Sequence, residues 1–311
     1  MSGGKSKPAK RPDSGTALPV TKERAGAELK IISPLCIPEG AYFTGKGNKA
    51  DMEGTKVISE LKTDTCYKEL GSFHGVKAGI VYHKALGAPT NTLVIELPEE
   101  RNILSTRTGL GKARYILNTH IPPELWDFMH DNSSDWQTAY SVVLEEVLER
   151  YGTDLDKVSF LSTGVDQDKI AWAEESYEEF WVLAFATAGV KTNAMRIGCD
   201  AASGIERNGK FEKIGTINII LLTGSALETP TLASSYITLT EAKNVALQEL
   251  DIRSAVHPEW QATGTGTDQI ISVSGGDDKY TYVGGHTKLG EMMAKAATQA
   301  VKQAVRNCRG Y

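Results

Sequence analysis

The unusual residues concentrate in the last third of the chain. The stretch ATGTGTD runs from Ala262 to Asp268. Threonine is stiff and prefers extended backbone, whereas glycine lets another group lie close to the chain. Read as extended, Thr263, Thr265 and Thr267 share one face, and Gly264, Gly266 and Asp268 share the other. One face then offers hydroxyls, and the other offers a small-residue wall with a carboxylate beside it. The plainer reading is a tight turn, but three hydroxyls, two glycines and an acid exceed what a turn needs.

Three further stretches carry polar groups at telling places. In GTIN, Thr216 and Asn218 are two apart and lie on one side of a strand. They are either a structural hydrogen-bonding pair or the floor of a site. In TEAK, Glu241 and Lys243 fall in the first turn of a helix expected to begin near Thr240. Capping and the helix dipole explain Glu241 there but not Lys243, which needs an anionic ligand group, Glu241 or Asp268 nearby. In VGGHTKLGE, His286 follows two glycines and opens a long helix. The free N–H groups of that first turn would favour a neutral imidazole able to act as a base. A cap alone would favour Ser, Thr, Asp or Asn.

The elements that must position these residues alternate between strand and helix patterns, which predicts an α/β fold. The expected architecture is a layered mixed sheet with packed helices in a single domain. Strands are expected over Asn91–Pro98, Lys157–Gly164, Glu179–Gly189 and Gly215–Gly224, the first of them ended by its proline. One helix is expected from Trp136 to Leu148, with a capping box at Ser134 and Gln137 and a stop at Gly152. The apolar stripe from Leu289 to Val305 predicts a long helix whose two Met residues belong to the core.

The polar, basic segment 1–28 reads as a disordered tail, with residues 29–311 as the folded domain. The tail has no apolar run like that of a secretory signal. No apolar run reaches the ~18 residues of a membrane span. Net charge is −5 and the pI about 5.8, without a basic patch carrying interleaved aromatics, so no nucleic-acid partner is expected. Cys36, Cys66, Cys199 and Cys308 lack CxxC spacing and read as reduced thiols of a cytoplasmic protein. GAYFTGKG, Gly40–Gly47, lacks the hydroxyl that ends a phosphate loop. GLGKAR and GTGTDQ each lack the third glycine of a dinucleotide fingerprint. No histidine spacing suggests a metal centre, no G-x-S-x-G elbow is present, and no cofactor is expected.

Taken in order, NTLVIELPEERNILST, ARYILN, FATAGVKTNAMRIG, GTINIILL, TEAKNVALQEL, ATGTGTD and YVGGHTKLGE resemble the adenosylcobinamide amidohydrolase family. The matching stretches span Asn91 to Glu291. The resemblance implies an enzyme of corrinoid salvage acting on a small-molecule corrinoid. It would hydrolyse the amide joining the aminopropanol arm to the ring of adenosylcobinamide, giving adenosylcobyric acid. Such chemistry needs an activated water or nucleophile, a stabilised oxyanion and an acid for the leaving amine. On that basis Asp268 or His286 activates water, and Lys243 or the N–H groups near His286 hold the oxyanion. Glu241 orients Lys243 or protonates the amine. Thr263, Thr265, Asn218, Asn193 and Asn118 hold the amide arms of the ring, beside Thr216, Gly264, Gly266 and Thr267. A second mechanism makes Thr267 a nucleophile. A competing function is a corrinoid carrier without hydrolytic activity, with a histidine on cobalt. A homo-oligomer is compatible with all of these readings.

Overall fold

The computed structural model describes residues 65–132, 135–202, 216–276 and 278–309. The tail assigned to residues 1–28, the stretch Gly40–Gly47, Cys36 and Ser134 lie outside the described residues.

The chain opens with four strands: β1 (Cys66–Phe73), β2 (Val76–Ala85), β3 (Ala88–Ser105) and β4 (Gly109–His120). Three short helices follow, α1 (Trp126–Asp131), α2 (Trp136–Val143) and α3 (Glu145–Tyr151). Next come β5 (Val158–Thr163), β6 (Ala171–Tyr177), β7 (Phe180–Ala188), β8 (Ile217–Thr223) and β9 (Ala226–Leu227). The remainder is α4 (Thr229–Glu249), β10 (Gln269–Val273), β11 (Lys279–Tyr280) and α5 (Lys288–Arg309).

Among the described residues, nine strands form one mixed sheet in the order β1-β2-β3-β10-β8-β7-β6, with β4 on β3 and β5 on β4. The pairs β8–β10 and β4–β5 are parallel, and the others are antiparallel. The length of β3 joins the two halves. Thr92–Glu96 pairs with both β2 and β4, whereas Ile103–Ser105 pairs with β4 and β10. Its Pro98 does not end the strand as expected. The register with β4 shifts between Glu96 and Arg101, so Pro98 sits where no ladder hydrogen bond is required.

Alternation along the strands sorts side chains into three cores. On β8, Ile217, Ile219 and Leu221 face α4 and α5 in one cluster, while Ile220 and Leu222 meet Ile80, Leu93, Ile95 and Ile116 in a second. Val81, Val94, Leu117 and Phe160 pack under α2 and α3 in a third. The sheet therefore curls onto itself between two helical layers.

The helices depart from the sequence expectation in instructive ways. The segment expected as one helix is two, α2 and α3, broken at Leu144. Asp135 supplies the cap, its side chain accepting from the Thr138 N–H at 3.2 Å. Gly152 stops α3 at φ 57° as expected. The helix expected to begin near Thr240 begins eleven residues earlier at Thr229, with Pro230 in its first turn. Glu241 and Lys243 are thus mid-helix, and the dipole argument made for them does not apply.

Candidate active site

Asp268 stands just before β10, and Lys243 projects from α4, which lies across β8 and β10. The two side chains form an ion pair, with side-chain exposures of 14% and 8%. Asp268 has three further donors. The Thr265 hydroxyl and the Ile217 backbone N–H (3.1 Å) donate to its Oδ1, and the Thr265 N–H lies 3.2 Å from the same oxygen and 3.3 Å from Oδ2. A carboxylate held by that many donors has a fixed orientation, and it fixes Lys243 in turn.

The run 262–268 is not extended. Gly264 bridges to Met195, and Gly266 turns at φ +83°, so the Thr/Gly alternation breaks there. The three threonines serve different ends. The Thr263 hydroxyl accepts from the Ile197 N–H at 2.9 Å, the Thr265 hydroxyl meets Asp268, and the Thr267 carbonyl accepts from the Thr216 hydroxyl at 2.6 Å. Gly264 allows the close approach that its residue type suggested. A Cβ there would collide with Asp268 Oδ2 and lie 2.8 Å from Lys243 Nζ. The Thr265 hydroxyl that donates to Asp268 is buried, 1% exposed.

Beside the ion pair opens a cleft of about 260 Å³. Thr106, Ile197, Tyr236, Thr240, Gly266 and Gln269 line it together with Lys243 and Asp268. Tyr236, Thr240 and Lys243 sit at i, i+4 and i+7, one face of α4. The Tyr236 hydroxyl lies 2.7 Å from the Leu104 carbonyl and 2.9 Å from that of Ile270, and burial pushes its pKa up. Sequence reasoning missed Tyr236 and Thr240 because the helix was started too late. Pro230, a first-turn residue, was the signal that places them on the face of Lys243.

Five other expected site residues are placed differently. Asn118 and Asn218 are buried, and Asn218 donates to the Asn118 side chain at 2.8 Å and to the Ser162 carbonyl at 2.9 Å. Asn118 donates in turn to Gln167 (3.3 Å) and Thr187 (3.2 Å). Their amides are engaged with protein groups between the layers of the sheet rather than turned to the cleft. Thr216 joins this network through Asn218 at 3.1 Å. Asn193 lies just before the Met195 bridge, and its buried Nδ2 has no partner among the described residues. Glu241 is exposed, one residue before buried Ala242, and Asp268 holds Lys243 in its place.

His286 is the largest correction. It precedes α5 and follows β11, which pairs with β9 beyond the C-terminal end of β8. Asp268 lies at the N-terminal ends of β8 and β10, so a strand length of roughly 20 Å separates the two levels. The residue capping α5 is Thr287, whose hydroxyl accepts from the Gly290 N–H at 3.1 Å. His286 is exposed, its ring 6.0 Å from that of Tyr282. Among the described residues no three His, Cys, Asp or Glu side chains converge as metal ligands, and no helix is long and apolar enough to cross a membrane.

The fold and site define a layered α/β protein with a buried lysine–aspartate pair in the wall of a cleft that Ile217, Ile219 and Ile270 also line. The chain belongs to the CbiZ family, described as adenosylcobinamide amidohydrolase, whose model matches residues 77–311. An uncharacterized protein of Methanocaldococcus jannaschii is 44% identical over 227 residues, 70% of this chain and 86% of that protein. An adenosylcobinamide amidohydrolase of Methanosarcina mazei is 26% identical over 221 residues, 68% and 92% of the two chains. Among solved structures, an L-aminopeptidase D-Ala-esterase/amidase of Ochrobactrum anthropi, described as a variant of the Ntn hydrolase fold, aligns with TM-score 0.34 and 11% identity, covering 71% of this chain and 77% of that one.

Proposed function

We propose that the chain hydrolyses the aminopropanol amide of adenosylcobinamide, releasing adenosylcobyric acid, at the cleft beside Lys243 and Asp268. Family membership supports the reaction class. The observation that carries the location is the ion pair itself: Lys243 and Asp268 are the acid–base pair of the cleft lining, and buried donors hold them there.

The Lys243 ammonium faces the scissile carbonyl oxygen and takes up the charge that develops on it. Asp268 accepts a proton from the attacking water as the new C–O bond forms. That proton passes to the amine nitrogen as the C–N bond breaks. Gly264 keeps the wall thin at the pair, and Thr240 and Gln269 offer polar contacts to the arm. His286 and Glu241 have no part in these steps.

Turnover of adenosylcobinamide by substituted protein tests this reading. Asp268→Asn and Lys243→Ala are each expected to lower kcat by roughly 10²–10⁴ while the fold persists. Near-normal turnover in both would remove the pair from the mechanism.

A further inference from the structure

The cleft is too small for the substrate assigned to it. Its volume of about 260 Å³ falls below the roughly 300–1,000 Å³ that encloses a drug-sized ligand, and a corrinoid is larger than that. One amide arm fits, and the macrocycle does not. The ring must then rest outside, on whatever borders the mouth.

Three exposed aliphatic side chains lie on or beside the elements that line it. Ile197 lines the cleft and is 62% exposed. Its segment is pinned, because Met195 bridges to Gly264 and the Ile197 N–H donates to Thr263. Leu110 is 56% exposed and pairs with Leu104 across β3 and β4, so the two share a face of the sheet. Thr106, two residues beyond Leu104, lines the cleft on that face. Ile237 is 65% exposed and lies one turn before Thr240 on α4, within side-chain reach of it.

A single exposed aliphatic residue is ordinary on a protein surface. Three of them on the elements around the lysine–aspartate pair, one held in place by backbone bonds, extend the isoleucine lining of the cleft outward around a charged centre. That pattern complements a flat ring whose broad face is apolar and whose edge carries amide arms. We infer that Leu110, Ile197 and Ile237 form a platform for the face of the macrocycle, while one arm reaches Lys243 and Asp268. The inference rests on the amidohydrolase reading and adds how the substrate is oriented and selected. Contacts to the ring face stay the same as the amide is cut, so they contribute to binding and not to the chemical step.

The test is steady-state kinetics on adenosylcobinamide with Leu110→Ser, Ile197→Ser and Ile237→Ser combined. Val245→Ser serves as control, since Val245 is an exposed aliphatic residue two positions, about 200°, around α4 from Lys243. Equilibrium binding of adenosylcobinamide to the Asp268→Asn protein, with and without the three changes, reads affinity without turnover. The triple variant should raise KM and the dissociation constant by roughly tenfold or more, with kcat within about twofold of the parent. The control should match the parent. If the parent cleaves adenosylcobinamide and the triple variant keeps its KM, the platform is wrong and the hydrolase reading stands. If the parent neither binds nor cleaves the corrinoid, both fall together.

Discussion

Gly264 shows most directly how the site is made. Its missing side chain is the space in which Asp268 and Lys243 meet, and the Asp268 carboxylate cannot retreat, because Thr265 and the Ile217 N–H hold it from the other side. Gly264→Ala should therefore separate the ion pair and lower amide turnover by roughly 10²-fold, as the loss of one oriented transition-state group does. Gly285→Ala meets open space and His286→Ala alters an exposed ring, so both should turn over normally. Comparing kcat in the three variants checks this. Normal turnover in Gly264→Ala, or a hundredfold loss in His286→Ala, would contradict the placement of the site. The residue types asked for an anionic partner near Lys243, and among the groups they offered the structure brings Asp268 to it. They misplaced His286, because a histidine before a helix reads alike at either end of a sheet. Sequence spacing carries no information about which end that is.

Among the elements, α4 and β3 position the site, and both were read too short. The late start given to α4 hid the face shared by Tyr236, Thr240 and Lys243. Its serines and threonines, such as Ser235 bonded to Ser272 at 2.7 Å, interrupt the apolar period that would have announced the helix. The strand β3 continues through Pro98 because a bulge absorbs it, a tertiary effect that local propensity does not report. The stripe of α5 and the buried runs of β7 and β8 were legible because each pattern matches its period without interruption. Two strands also carry a pH signature. Burial lowers the pKa of His83 on β2, against smaller opposing contributions from the Lys84 backbone and Glu146, and burial likewise lowers that of His120 on β4. The unfolded chain, with histidine near pKa 6.5, then binds protons more readily than the folded one below that pH. Stability should fall as pH drops from about 7.5 to 5.5, and replacing both residues with Gln should flatten the slope. Thermal unfolding at the two pH values checks it, and a melting temperature unchanged in the parent would contradict it.

The layered architecture places the proposed chemistry at one end. The parallel strands β8 and β10 begin beside Asp268, Thr106 just after β3 closes the cleft, and α4 covers it. The opposite end carries β9, β11, His286 and the start of α5. Fold class followed from alternating strand and helix patterns. The curl of the sheet did not, because it depends on one long strand pairing differently along its two halves. The division of polar residues into a cleft set and an internal network was equally hidden. Asn118 and Asn218 look like binding residues in sequence, and the pairing of β7 with β8 and β4 with β5 brings their amides to protein partners instead. The most direct measurement is mass spectrometry of adenosylcobinamide after incubation with the protein and, in parallel, with its Asp268→Asn form. Adenosylcobyric acid and free aminopropanol from the parent alone are the predicted result, whereas corrinoid recovered intact from both, bound or unbound, would contradict an amidohydrolase at this cleft.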